Sequence, residues 1–179
     1  FFGRLCSSFP SIPLIAEDLG IITPDVRETI TRLGLPGMKI LLFAFGEDNP
    51  MHTYLPHTYG RNCVVYTGTH DNNTARGWFD REARPEDKER LFRYLGRKIR
   101  SQDVNWELIR LAMMSEADTA IFPMQDILGL GHEAQMNKPS VAHGNWAWRF
   151  LPEQLTEAVT AQLRSMTETY GRGQPSSFV

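Results

Sequence analysis

Short apolar runs alternate with amphipathic helical patterns along this chain. We predict buried strands in a run that ends at Glu17 and over residues 37–45, 63–67 and 118–124. The helical patterns cover residues 23–33, 85–99, 104–117 and 152–170. Strands that alternate with helices are typical of a parallel sheet, so the sequence predicts an α/β fold with four parallel strands.

Acidic residues follow two of the predicted strands. Glu17 and Asp18 end the first apolar run, and His70-Asp71-Asn72 follows the strand at residues 63–67. In a parallel α/β barrel the strand ends share one face, so Glu17 and Asp71 are our candidate catalytic pair. An acid beside apolar neighbours stays protonated more easily than one among polar groups, and that division of roles suits glycosidic bond chemistry.

These segments also have purely structural interpretations. A Glu-Asp pair after a strand often caps the next helix, and a His-Asp pair is common in loops. We favour a structural role for Asp18, because its side chain should point away from that of Glu17. Trp78 and Trp106 lie in helical patterns, so we interpret them as packing residues.

Five motifs, in this order, resemble one known family. They are IAEDLG at 15–20, GLPGMK at 34–39, YTGTHDN at 66–72, MNKP at 136–139 and GNWAWR at 144–149. Together they resemble the carboxyl-terminal half of the 4-α-glucanotransferases, or amylomaltases, of glycoside hydrolase family 77. The resemblance implies half of a (β/α)8 barrel and transfer of α-1,4-glucan segments between maltooligosaccharides through a covalent glucosyl-enzyme. It implies no metal and no organic cofactor.

The resemblance also assigns roles to individual residues. Glu17 matches the general acid/base, and Asp71 matches the carboxylate that holds the sugar ring, with His70 hydrogen-bonding beside it. Asn137, Asn145 and Trp146 are the further candidates for substrate binding, although they would serve equally well to order their loops.

One departure from the family pattern concerns the nucleophile. The family uses an aspartate in an Arg-x-Asp-His segment on an earlier strand, and the sequence has no such segment. A retaining mechanism needs two carboxyl groups roughly 5 Å apart, one of them as nucleophile. We therefore expect residues 1–179 to be one partial barrel domain of a longer protein, inactive alone, whose partner is its missing amino-terminal half. The alternative is a non-catalytic glucan-binding or assembly module.

Composition narrows the classes of partner. The chain has 179 residues, of which 41% are apolar and 22% charged, which is typical of a globular protein but short of the roughly 250 residues of a whole barrel. A net charge of −2 favours neither nucleic acid nor a membrane surface. Cys6 and Cys63 are too few for a disulfide framework, so a cytoplasmic location is expected. We also expect open barrel edges to allow self-association.

Overall fold

The computed structural model describes residues 2–9 and 13–173. The helices are α1 (Phe2–Ser8), α2 (Pro24–Arg32), α3 (Ala75–Arg81), α4 (Pro85–Leu95), α5 (Val104–Met114), α6 (Met124–Ile127) and α7 (Glu157–Thr169). The strands are β1 (Gly37–Ile40), β2 (Cys63–Tyr66) and β3 (Thr119–Ile121). Within the described residues no helix is both long and apolar enough to cross a membrane.

The three strands form one parallel sheet in the order β1-β2-β3. The α/β class and the parallel pairing are therefore as predicted, but the described residues contain three strands instead of four. The segment that ends at Glu17 has no strand assignment; its Ala16 N–H donates to the Pro36 carbonyl at 2.9 Å. Pro36 has no N–H to donate in return, so a regular ladder does not form there.

Two of the predicted strands are shorter than their apolar runs. The run at residues 37–45 leaves the sheet after Ile40 and turns into a 3-10 helix at Leu41–Phe43. The run at residues 118–124 forms β3 and then enters α6 after Pro123. Periodicity cannot separate a buried strand from a buried helical turn in a short apolar run, which explains both errors.

Helix α2 begins at Pro24 after the N-cap Thr23, as predicted. Helix α4 begins at Pro85 as predicted but ends at Leu95, before the predicted end at residue 99, because Gly96 has a φ of 71° in the left-handed region. The predicted helix at residues 152–170 is instead a 3-10 turn at Pro152–Gln154 followed by α7. Helix α3 contains Trp78, which was expected in a helical pattern, but its bounds were not predicted because seven residues are too few to show a clear helical repeat.

The main hydrophobic core lies between the sheet and helices α3, α4 and α5. Its fully buried side chains include Ile40, Val65, Leu91 and Leu108, and each such side chain contributes roughly 1.5–3 kcal/mol by leaving water. A smaller cluster joins α5 and α6 to α7, with Trp106 packed against it. Trp78 belongs to the main core, so both tryptophans are packing residues as predicted. The core leaves the carboxyl ends of the strands open.

Candidate active site

A cleft of ≈ 540 Å³ lies at the carboxyl ends of the strands. Its walls come from the ends of β2 and β3, the loops after them and the segment before α2. They include Glu17, Tyr66, Asp71, Phe122 and Trp146. The structure therefore brings Glu17 and Asp71, which are far apart in sequence, into the lining of one cleft.

Residues 68–74, which we call the Asp71 loop, connect β2 to α3. A compact turn shapes this loop: the Asn72 Oδ1 accepts hydrogen bonds from the Thr69 N–H at 2.8 Å and the Thr69 hydroxyl at 3.0 Å. Gly68 makes the turn possible, because a Cβ there would lie 3.0 Å from the side chain of Leu42. The loop ends at Thr74, whose hydroxyl caps α3 by accepting from the Gly77 N–H at 2.9 Å.

The Asp71 carboxylate is half-exposed and is held through one of its two oxygens. The Asn137 side-chain amide donates to Oδ1 at 2.6 Å, and the His70 Nε2 lies 3.3 Å from the same atom. The Asn137 N–H also donates to the His70 carbonyl at 3.1 Å, which fixes the two loops against each other. Among the described residues Asp71 Oδ2 has no protein partner, so it is available to a hydroxyl group of a ligand.

Trp146 places an aromatic ring beside this carboxylate. Its ring centre lies 5.1 Å from that of His70, and the residue is 54% exposed. The backbone at Trp146 has a φ of 62°, an uncommon conformation for a large side chain, and its N–H donates to the Met136 carbonyl at 2.8 Å. An exposed ring held in this way on the wall of a cleft is a suitable platform for a sugar.

Asn145 has a different environment from the other candidates. Its side-chain amide is satisfied by backbone groups of one loop: Oδ1 accepts from the Lys138 N–H at 2.9 Å, and Nδ2 donates to the Val141 carbonyl at 2.8 Å. It is not among the residues that line the cleft. The geometry therefore favours the loop-ordering alternative for Asn145.

Glu17 is exposed, although the sequence argument placed it among apolar neighbours. Within the described residues the segment that carries Glu17 makes one backbone-to-backbone hydrogen bond, from Ala16 to Pro36, and the Glu17 side chain is in contact with solvent. Glu17 is nevertheless close to Tyr66: burial raises the pKa of the Tyr66 hydroxyl, and the negative charge of Glu17 raises it further.

Asp18, next to Glu17, contacts the backbone instead of the cleft. Its Oδ1 accepts a hydrogen bond from the Met38 N–H at 2.7 Å, at the start of β1. A Cβ on Gly37 would lie 2.6 Å from the other carboxylate oxygen, so the glycine permits this close approach. This contact agrees with the structural role favoured for Asp18.

Sequence reasoning missed Asp126, a carboxylate on α6 that is only 1% exposed. Burial raises its pKa to about 6, although hydrogen bonds from the Thr67 hydroxyl and the Ala75 N–H oppose the rise. The available signal was the same as for Glu17 and Asp71, because Asp126 is an acid shortly after an apolar run.

Comparisons with known proteins identify the family to which the chain belongs. The family model for glycoside hydrolase family 77, described as 4-alpha-glucanotransferase, matches residues 1–155. A 4-alpha-glucanotransferase from Thermus thermophilus is 48% identical over 180 residues, covering 96% of this chain and 35% of the relative. An Arabidopsis thaliana relative, named as the chloroplastic/amyloplastic 4-alpha-glucanotransferase, is 45% identical over 177 residues, covering 96% of this chain and 30% of the relative.

A solved structure gives the same result. The amylomaltase from Streptococcus agalactiae in complex with acarbose superposes with a TM-score of 0.90 and 34% identity, covering 96% of this chain and 34% of that chain. The chain thus spans about a third of the length of the proteins it matches. The ordered motifs, the cleft and these matches together show that the chain belongs to glycoside hydrolase family 77, the 4-alpha-glucanotransferase family.

Proposed function

We propose that this chain is part of a 4-α-glucanotransferase and contributes two of its catalytic carboxyl groups. The observation that carries the proposal is the presence of Glu17 and Asp71 in the lining of one cleft, with Trp146 beside them. The substrates are α-1,4-glucans and maltooligosaccharides. The Streptococcus agalactiae relative supports a carbohydrate ligand, because its structure contains acarbose.

In this mechanism Glu17 and Asp71 have separate tasks. The Glu17 carboxyl donates its proton to the glycosidic oxygen as the bond from that oxygen to the anomeric carbon breaks. A nucleophilic aspartate takes the glucosyl group, and Glu17 then removes a proton from the 4-hydroxyl of the acceptor as that oxygen forms the new glycosidic bond. Asp71 Oδ2 accepts from ring hydroxyls and stabilises the oxocarbenium-like transition state. We assign the nucleophile to polypeptide outside residues 1–179.

The same proposal covers the rest of the fold. These residues form the carboxyl-terminal half of a (β/α)8 barrel, in which the segment that ends at Glu17 becomes a fourth strand when its missing neighbour pairs with it. That neighbour also covers Glu17 and supplies the apolar surroundings expected of a general acid. We place the protein in the cytoplasm on its low cysteine content, although its Arabidopsis thaliana relative is named chloroplastic/amyloplastic.

Two variants in a complete barrel test the assignment. We suggest a chimera in which this chain replaces its matching stretch in the Thermus thermophilus relative. Glu17→Gln should lower transfer from maltotriose by about 10²–10⁴-fold. It should leave α-maltosyl fluoride able to form the intermediate, because fluoride needs little protonation to leave. Asp71→Asn should slow both substrates, since it acts on the sugar ring.

The matched control is Glu89→Gln, which removes an exposed carboxylate on α4 outside the lining of the cleft. It should leave the rates on both substrates unchanged. If both cleft variants turn over like this control but still bind maltooligosaccharides, the catalytic assignment is wrong and the glucan-binding module is favoured. Equal and mild losses in both cleft variants would show that these residues are structural.

A further inference from the structure

The buried Asp126 carboxylate contacts both ends of the Asp71 loop. Its Oδ2 accepts from the Thr67 hydroxyl at 2.5 Å, immediately before the loop begins. Its Oδ1 accepts from the Ala75 N–H at 2.7 Å, immediately after the loop ends. Each carboxylate oxygen therefore holds one end of the loop that carries His70 and Asp71.

The position of Asp126 is fixed by its own helix and by a contact with α5. It lies on α6, and its backbone carbonyl accepts from the Asn105 side-chain amide of α5 at 2.7 Å. Asn105 is 1% exposed and Thr67 is fully buried, so water does not compete for these hydrogen bonds. Asp126 is absent from the lining of the cleft, so it has no direct contact with a ligand there.

A buried carboxylate lowers the stability of the folded protein unless it makes hydrogen bonds that a neutral side chain could not make. Among the described residues Asp126 has no charged partner, and burial raises its pKa to about 6 against the opposing effect of its two hydrogen bonds. Two coplanar acceptor oxygens are the property that a hydroxyl or an apolar side chain lacks. Fixing a loop at both ends requires two acceptors, and that requirement accounts for an aspartate here.

We propose that Asp126 is a positioning residue, which fixes both ends of the Asp71 loop and so holds Asp71 and His70 at the cleft. The inference rests on the proposed role of Asp71 for its effect on catalysis. It predicts that loss of Asp126 acts through Asp71, instead of through general loss of the folded protein.

A double-mutant cycle in the same chimera tests this coupling. Asp126→Ala should lower the rate of intermediate formation from α-maltosyl fluoride by about tenfold, measured per folded molecule. In an Asp71→Asn background the same change should cost about twofold or less, because the carboxylate that the loop positions is already gone. Full additivity of the two changes would overturn the proposal.

Milder variants keep the test valid if Asp126→Ala folds poorly. Thr67→Val removes the hydroxyl at one end of the loop and should give a smaller loss of rate, and Thr67→Ser should restore it. Asp126→Asn keeps one acceptor and a similar shape but loses the second acceptor, so it should recover only part of the rate. The matched control is Asp87→Ala on α4, which removes another buried carboxylate whose partners are Arg84 and Arg90. It should lower stability without changing the rate per folded molecule.

Amide hydrogen exchange gives a readout that needs no activity. Asp126→Ala should speed exchange in residues 68–74 more than Asp87→Ala does, and equal effects of the two variants would overturn the proposal. If Asp71→Asn leaves the fluoride rate unchanged, the proposed function fails. The exchange result alone then decides whether Asp126 holds the loop.

Discussion

The segments that carry the two candidate carboxylates are held very differently. The Asp71 loop follows β2, which pairs with a strand on each side, and a buried carboxylate holds both of its ends. The Glu17 segment has the hydrogen bond from Ala16 to Pro36 and the contact of Asp18 with Met38, and Glu17 itself is exposed.

This difference in hydrogen bonding shows which part of the candidate site residues of this chain hold in place by themselves. A central parallel strand has neighbours on both sides that fix its carboxyl end, whereas a segment beside an outer strand has a neighbour on one side only. The Asp71 half of the site is therefore preorganised within the chain. The Glu17 half depends on a further neighbour, which the barrel proposal supplies.

The largest expected effect concerns the chain in isolation. We expect no glucose release from maltotriose above background, because the sequence lacks the Arg-x-Asp-His segment, whereas the chimera should turn over. We also expect sedimentation that depends on concentration, since within the described residues no strand covers the outer side of the Glu17 segment or of β3. A glucose-release assay and sedimentation velocity at several concentrations check the two parts.

Two results would contradict this prediction. Turnover by the isolated chain would require a nucleophile other than the missing aspartate. A compact, thermally stable monomer at every concentration would show that the edges are not exposed. In that case the Glu17 segment is better held than its hydrogen bonds indicate.

The sequence predicted the elements around the Asp71 loop better than it predicted the Glu17 segment. The apolar run at residues 63–67 identified β2, and Thr23 with Pro24 correctly marked the start of α2. The predicted helical pattern at residues 85–99 ran past Gly96, where α4 ends. The strand predicted to end at Glu17 is not confirmed in the described residues, because strand formation needs a paired neighbour that a local pattern cannot guarantee. Glu17 and Asp71, which were chosen because each follows a predicted strand, both line one cleft.

The hydrogen-bond partners of Asp126 could not have been predicted from local sequence. Its hydrogen bonds reach Thr67 across 59 residues and Ala75 across 51 residues, and no periodicity encodes such contacts. Short helices such as α6 also escape detection, since four residues are too few to show a repeat. Contacts between distant strand ends, which hold the site, were therefore the part that required the structure.

The next largest effect is a pH dependence of the free energy of unfolding, which comes from Asp126 beside the Asp71 loop. Burial raises the pKa of Asp126 from its ordinary 3.8 to about 6, so the folded state binds this proton more tightly than the unfolded state. The contribution is fully present below pH 3.8 and is lost as the pH rises through about 6, which corresponds to about 3 kcal/mol. Asp126→Asn, neutral at every pH, should abolish that fall.

Urea unfolding of the chain and of Asp126→Asn between pH 4 and 7 measures the difference. The charged side chains of neighbouring helices are paired elsewhere, Arg76 with Asp80 on α3 and Arg97 with Glu107 on α5. Carboxylates with lowered pKa, such as Asp87 and Asp103, lose stability as the pH falls and do so equally in both proteins. Parallel pH profiles would show that Asp126 does not titrate in this range.

The smallest expected effect on the free energy of unfolding concerns the contact between Asp18 in the Glu17 segment and β1. Asp18→Ala removes the acceptor of the Met38 N–H and should cost about 1 kcal/mol of unfolding free energy. Gly37→Ala should cost a similar amount, because its Cβ would meet the Asp18 carboxylate at 2.6 Å and displace the same hydrogen bond. Since both changes break one contact, their effects should not add.

Urea unfolding of the two single variants and the double variant measures this coupling. In the Asp18→Ala background Gly37→Ala should cost much less, because the three atoms nearest to a Cβ at Gly37 all belong to the Asp18 carboxyl group. Gly60→Ala is the matched control, since a Cβ there meets nothing within 4 Å. A Gly37→Ala cost that is equal in both backgrounds would mean that Asp18 does not hold the Glu17 segment against β1. The segment would then depend on the Ala16 hydrogen bond alone, and the contrast with the Asp71 loop would be greater still.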